Sequence, residues 1–342
     1  MRQSLQAKQA ATLRDVARAA GVSYQTVWRV VKGHPHVAED TRRRVREALE
    51  QLDYRPHRAA QVLTTGRSGM LQLVVFKGMY GAPPLSALVH AAYVHGYTMM
   101  VTELERPGSI EAMRDALRAS SRIVDGMLMV LPYPYIPYEM LGDLCQGRPF
   151  VVIGTEVGAH IPSVVIDQAH GMELLCHHLL SLGHRAIAEI SGPLMNFDAR
   201  ARHEALCEQL AGAGLSLWMS MEGNFDVASG YRAAKRLLAS SRAFTALVVG
   251  NDAMALGALR ALHEGGLRVP ENVSVVGFDD RPESAYFEPP LTTVRQDFDA
   301  LAQESVAYLA SMVEDEHVSW EQQRVLDPEL VVRQSTGSVI AA

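Results

Sequence analysis

The 342-residue sequence predicts an α/β protein: a two-lobed core of parallel sheets flanked by helices, preceded by an all-α helix-turn-helix head. Three observations predict it. From residue 70 onward, short runs rich in β-branched residues alternate with longer amphipathic segments, the pattern of parallel strand–helix–strand units. Before residue 55 the apolar periodicity is helical only, with a turn signal between two short segments. Charge divides near the same place. Residues 1–67 carry 13 Lys or Arg against 6 Asp or Glu, a net of +7, and the remainder carries 19 against 32, a net of −13.

The head is organised around residues 12–32, TLRDVARAAGVSYQTVWRVVK. Thr12 is positioned to cap a first helix, with Asp15 as the reciprocal acid of a capping box. Leu13, Val16, Ala17 and Ala20 recur at helical spacing, and Gly21 supplies a turn residue that tolerates positive φ. Ser23 is a good cap for a second helix that buries Val27 and Val30, leaving Tyr24, Gln25, Thr26 and Arg29 to point elsewhere. A helix-turn-helix needs this order: one helix braces and the other lays its N-terminal residues against base edges in the major groove. Other helical hairpins also show Ala, Gly and Ser in such an order. A basic head on an acidic body favours the reading in which only the head meets a polyanion.

After a loop, a third helix is expected over 38–52, with Val45, Ala48, Leu49 and Leu52 on one face. Arg42, Arg43, Arg44 and Arg46 fall outside, available to phosphates or simply solvated. Residues 54–68 read as a linker with helical potential, Pro56 at its start and Gly66 at its end. So short a helix does not hold in water without packing partners, so order there is expected only when something buries it.

In the core, strands are expected at 71–76, 97–101, 126–130, 150–153, 163–166, 186–190, 217–219, 246–249 and 274–278. Helices are expected at 86–95, 109–119, 169–182, 199–213, 227–238, 252–264 and 298–312. That is many strands for one open sheet, and a division near Asp167 gives two lobes, with the chain beyond Leu291 returning toward the first.

Several function classes are excluded or disfavoured. No run of about 18 apolar residues appears, which argues against a membrane span, and MRQSLQAKQA lacks a signal-peptide core, so a cytoplasmic location is expected. Cys145, Cys176 and Cys207 are odd in number and far apart, indicating reduced thiols rather than disulfides or a zinc site. There is no Gly-rich phosphate loop with a lysine, no G-x-S-x-G and no H-E-x-x-H, and His177, His178 and His184 lack further ligands at metal spacing. Neither an enzyme nor a cofactor is expected.

In open parallel sheets, ligands bind beyond the carboxyl ends of strands. The polar residues there are Asp167, the loop 191–198, Asn251, Asp252, Asp279 and Asp280. Asn251 and Asp279 offer the fixed hydrogen bonding that sugars and bases require, yet a residue such as Asn251 can equally serve as a helix cap.

The segments TLRDVARAAGVSYQTVWRVVKG, LDYRP and NDAMALGALRALHEGGLRVPENVSVVGFDDRPESAYFEPPLTTVRQD together resemble the lactose and galactose repressor family of bacterial transcription regulators. The likeness covers almost the whole chain, and the core is most similar to the lactose-repressor branch. The resemblance implies a head at 1–55, a hinge helix and linker at 56–68, a periplasmic-binding-protein-like core at 69–336 and a tail at 337–342. The first lobe would comprise about 69–167 plus 295–323, and the second about 168–294 plus 324–336. It implies that Tyr24, Gln25 and Arg29 read bases, that Thr12, Ser23, Thr26 and Lys32 meet the DNA backbone, and that Arg58, Ala59, Gln61 and Leu63 form the hinge, Leu63 wedging into the minor groove. Arg202, Phe225, Asn251, Asp279 and Gln296 are implied to hold the effector, Phe225 packing on a sugar face.

The sequence also departs from the family pattern. Trp28 replaces a small serine, Ala38 a capping residue, and Gly154 a pocket aspartate; residues 78–85 are shorter than the usual pocket loop, and Tyr133, Tyr135 and Tyr138 lie in an unusual Pro-rich loop. The implied partners are near-palindromic double-stranded operator DNA and a mono- or disaccharide effector. A homodimer is expected because no leucine heptads follow Arg333. Two alternatives stay open, a nucleoside or purine corepressor and a cytoplasmic sugar-binding protein without operator specificity.

Overall fold

The computed structural model describes residues 11–31, 34–54, 67–76, 85–104, 114–115, 117–118, 121–131, 140–154, 160–240, 243–315 and 322–339. The chain divides into two compact units, residues 1–68 and 69–342.

The first unit holds three helices, α1 (Leu13–Ala20), α2 (Tyr24–Val31) and α3 (Glu39–Gln51). The expected capping box closes α1: Asp15 N donates to Thr12 Oγ1 at 3.3 Å while Thr12 N donates to the Asp15 carboxylate at 3.0 Å. Gly21 ends α1 in the left-handed region at φ 63°, and Thr26 N donates to Ser23 Oγ at 3.1 Å to open α2. Val16, Ala17, Ala20, Val27, Val30, Val45 and Ala48 form the core, a small one with little surplus stability. Ala38 makes no side-chain cap for α3. Arg42 is not on the outside as expected: its guanidinium donates to His34 O at 3.0 Å and tethers the preceding loop to α3.

The second unit is built on two parallel sheets. The first has six strands, in the order β11 (Gln323–Leu326), β5 (Ser163–Ile166), β4 (Phe150–Ile153), β3 (Gly126–Val130), β1 (Met70–Phe76) and β2 (Thr98–Leu104). The second has four, β7 (Met219–Glu222), β6 (Ile187–Ser191), β8 (Ala246–Val249) and β9 (Ser274–Val276). β3, β4, β5, β6, β8 and β9 are buried along their whole length, as parallel strands covered on both faces must be. In the first lobe, α4 (Leu85–Val94) contributes Leu88, Ala91 and Ala92 to the core, and α5 (Leu141–Leu144) buries both its terminal leucines. In the second, α6 (Gln168–Ser181) packs against α7 (Phe197–Gly212). The helices α8 (Val227–Ala239) and α9 (Asp252–Glu264) meet through Gly230 and Gly257, where a Cβ at either position would overlap backbone of the facing helix.

The return toward the first lobe takes a route the sequence does not display. After β10 (Thr293–Arg295) the chain runs through α10 (Phe298–Glu314), whose Leu301, Val306, Tyr308 and Leu309 pack on the six-stranded sheet. β11 then joins that sheet beside β5, and β12 (Glu329–Val331) comes back to pair antiparallel with β10. Three passages therefore link the lobes, at Asp167, at 296–297 and at 327–328. Residues 337–339, expected within the tail, are bonded to the second lobe: Gly337 N donates to Ser274 Oγ at 3.0 Å and Val339 N to Leu182 O at 3.0 Å. The segment expected as a helix at 109–119 and the loop holding Tyr133, Tyr135 and Tyr138 lie largely or wholly outside the described residues. No helix among the described residues is long and apolar enough to cross a membrane.

Candidate functional site

In the head, burying Val27 and Val30 turns the opposite face of α2 outward. Tyr24, Gln25 and Arg29 are exposed, as are Thr12 and Ser23, while Thr26 and Trp28 are half-buried. Thr26 Oγ1 and Ser23 Oγ lie 2.8 Å apart, so both hydroxyls are partly occupied in holding the start of α2. Lys32, Arg58, Ala59, Gln61 and Leu63 lie outside the described residues.

In the core, four buried side chains form a relay. Arg202, on α7, donates from Nε to Gln168 Oε1 at 2.8 Å. Gln168, at the start of α6, donates from Nε2 to Gln296 Oε1 at 3.0 Å and to Ile166 O at 3.0 Å. Gln296, just after β10, donates from Nε2 to Asp279 Oδ1 at 2.7 Å. The circuit closes electrostatically, with an Arg202 terminal nitrogen 3.8 Å from Asp279 Oδ1. Arg202 also donates to Gly250 O at 2.6 Å and lies 3.9 Å from the centroid of the Phe278 ring. Each amide both accepts and donates, so a cation and a carboxylate are joined through groups that reverse their polarity across the side chain.

The acids around this arginine are desolvated. Burial pushes the Asp279 carboxyl up to about 6 against the opposing pull of Arg202. Asp198, one turn before Arg202, is likewise pushed up to about 6 by burial and drawn down by Arg202. Asp252 reaches about 7, raised by burial and then by the Asp279 charge, although the Ser284 and Thr293 hydroxyls each donate to it at 2.6 Å. Beside the relay lies a cavity of about 300 Å³, lined by Gly154, Asp167, Gln168, Phe197, Asp198 and Gln323 among others, at the lower end of small-molecule pockets.

Arg202, Asp279 and Gln296 are thus brought together. Gln168, which links them, was missed because a glutamine opening a helix carries no signal in sequence. Asn251 is buried with both amide atoms occupied: Oδ1 accepts from Met254 N at 2.9 Å as the cap of α9, and Nδ2 donates to Phe225 O at 3.2 Å. The cap reading accounts for it. The Phe225 ring is buried in the second lobe's core, and a Cβ on Gly192 would overlap it. Among the described residues it is Phe197, not Phe225, that lines the cavity.

Comparison with known proteins bears on both units. Residues 12–57 match the model for bacterial regulatory proteins of the lacI family, and residues 176–336 match a periplasmic binding protein-like domain. The chain is 35% identical to the lactose operon repressor of Escherichia coli (strain K12) over 328 residues, covering 95% of this chain and 90% of that one. The chain belongs to the lacI family. This lacI-family chain is also 33% identical over 341 residues to the transcriptional repressor PurR of Haemophilus influenzae, covering 96% of this chain and 100% of the relative. Its structure is similar to that of the lac repressor dimer bound to operator and an anti-inducer, with a TM-score of 0.86, 34% identity and coverage of 96% and 100%. It is similar as well to the transcriptional regulator CelR in complex with cellobiose, with a TM-score of 0.71, 30% identity and coverage of 95% and 99%. Members of the family are DNA-binding transcriptional regulators and not enzymes.

Proposed function

We propose that this lacI-family repressor binds a near-palindromic operator as a homodimer and that a mono- or disaccharide held between its lobes controls the grip on DNA. The observation that carries the reading is the Arg202–Gln168–Gln296–Asp279 relay beside the interlobe cavity. Amides and carboxylates are a donor and acceptor set that sugar hydroxyls satisfy, and the inward-turned Arg202 guanidinium holds them in place. The similarity to CelR with cellobiose and to the lactose operon repressor supports the same class.

The relay spans two of the passages between lobes, so a ligand that competes for its hydrogen bonds changes how the lobes are tied. That differential is what couples one site to another. DNA affinity then follows through the segment joining core to head, where Leu63 and its neighbours are implied to fold against the minor groove.

The PurR similarity supports a second reading, a purine or nucleoside effector. Against it, Phe197 is the sole aromatic ring lining the cavity among the described residues, short of a pair that would sandwich a base.

A thermal-shift screen of the whole protein against monosaccharides, disaccharides, nucleosides and purines tests the reading, with operator release or capture as the second readout. A sugar that raises the melting temperature and alters operator affinity is the expected result. A shift by purines alone overturns the sugar assignment, and DNA affinity equal for every sequence overturns the repressor.

A further inference from the structure

We infer that Asp198 selects the effector: its carboxylate accepts a hydrogen bond from a hydroxyl or amino group of the ligand, and it shuts out anionic ligands such as sugar phosphates. The inference rests on the sugar reading above and adds which sugars fit.

The geometry of the cavity carries it. Among the described lining residues the charged groups are Asp167 and Asp198, and none is a cation. Arg202 does not line the cavity. It is turned inward to Gln168, Gly250 O and Asp279, with its face on Phe278. Asp167 is engaged as the N-cap of α6, accepting from His170 N at 2.8 Å. Asp198 has no such duty. The cap of α7 is Asn196, which accepts from Ala199 N at 2.9 Å, and no group among the described residues hydrogen-bonds the Asp198 side chain.

A carboxylate in that position is costly. It is half-buried at the cavity wall, its compensating charge is Arg202 on its own helix, and that arginine is shared with Asp279 and Asp252. Gln168, from the facing start of α6, is neutral, and Asp167 and Asp279 are of like sign. Folding gains little from Asp198, whereas a ligand donor would complete it. The buried amide nitrogen of Gln323, a lining residue from β11 of the first lobe, also has no partner, so the ligand is expected to carry an acceptor as well as a donor. A hydroxyl does both. Among the described lining residues, a phosphate or carboxylate group meets two acids and no cation.

The test uses the full chain, its D198N variant and, as a smaller replacement, D198S. Without ligand at about pH 7.5, D198N is expected to melt at or above the wild-type temperature, a gain that fades below about pH 6 as Asp198 itself becomes protonated. A lower melting temperature for both variants at the higher pH would assign Asp198 to stability and overturn the inference. Wild-type protein is then screened with neutral monosaccharides, their 2-amino counterparts and their 6-phosphates. Neutral or amino forms are expected to bind, with affinity falling about tenfold or more in D198N, the cost of losing a hydrogen bond to a charged group. A phosphate that binds the wild type as well as its parent sugar overturns the inference, as does a sugar whose affinity D198N leaves unchanged, and in both cases the sugar reading stands. If no sugar in any form binds, the sugar class is wrong and the selection by Asp198 falls with it.

Discussion

The side-chain amides of Gln168 and Gln296 meet, Nε2 to Oε1 at 3.0 Å, where two of the chain's passages between lobes run together. Ile166 lies at the end of β5 in the first lobe, and Gln296 precedes the helix that returns to it. One hydrogen bond thus joins the outward and returning strands of chain, and the same amides hold Arg202 and Asp279.

Removing Gln168 by alanine leaves the Arg202 Nε–H and the Gln296 carbonyl unsatisfied in a buried site. A loss of about 2–4 kcal/mol in core stability is expected from two orphaned groups. Arg202→Ala is expected to cost about 3–5 kcal/mol because Asp279 is left as an uncompensated buried charge. Urea unfolding measures both. Operator binding should survive each change while the response to effector is lost, and a retained response would remove the relay from the mechanism.

Gly257→Ala puts a methyl group into the backbone of Val227 and Tyr231 on the facing helix. Neither contact is the flexible end of a side chain, so α8 and α9 must separate. A destabilisation of about 1–3 kcal/mol or more is expected, read as a lower denaturation midpoint with an unchanged slope. Gly212→Ala, where an added Cβ meets nothing, is the control and should be neutral.

His184 is buried, with Nδ1 3.0 Å from Thr245 Oγ1 and Nε2 2.9 Å from Ser274 Oγ and 3.1 Å from Gly337 O. Burial is the main cause that lowers its pKa from the usual 6.5. The unfolded chain therefore takes up a proton that the native one refuses. This contribution is complete above about pH 6.5 and is lost as pH falls from there through the lowered native value. Melting curves of wild type and His184→Gln should converge on acidification, and a gap that stays constant between about pH 7.5 and 5.5 contradicts the assignment.

Ala38 precedes α3 in extended backbone, φ −56° and ψ 139°, without a side-chain cap. Ala38→Ser supplies the missing acceptor and should stabilise the head by about 1 kcal/mol. Hydrogen exchange of head amides in the whole protein is the measurement. Slower exchange confined to residues 11–54 is expected, and no slowing would mean that the new hydroxyl fails to cap.

Gln25 is exposed on the free face of α2. Gln25→Ala should cost about 1–3 kcal/mol against the preferred operator while leaving the salt dependence of binding nearly unchanged, because a base contact and not a phosphate contact is lost. A titration at two salt concentrations separates the two. An equal loss on unrelated DNA would show that Gln25 does not read bases.

Local order was legible from the sequence wherever a nearby pattern dictates it. The Thr12–Asp15 capping box, the turn at Gly21 and the buried strands at 126–130, 150–153, 163–166 and 246–249 depend on spacing within a few residues. The division into a basic three-helix head and an α/β core of two lobes was legible too, because charge and apolar period both change along the chain. Tertiary structure alone decided what those elements do to one another. β11 is a half-polar edge strand whose sequence does not announce which lobe it joins, and β12 pairs with β10 across more than thirty residues. Arg42, exposed by its helical period, turns inward because His34 O lies within its reach. The relay through Gln168 and Gln296 joins residues 128 apart in the chain, and Asn251 is occupied by a cap and a backbone carbonyl in a way composition cannot foretell. Hydrogen bonding over a few ångströms is blind to distance along the sequence, so the pattern specified the parts and the packing specified the site.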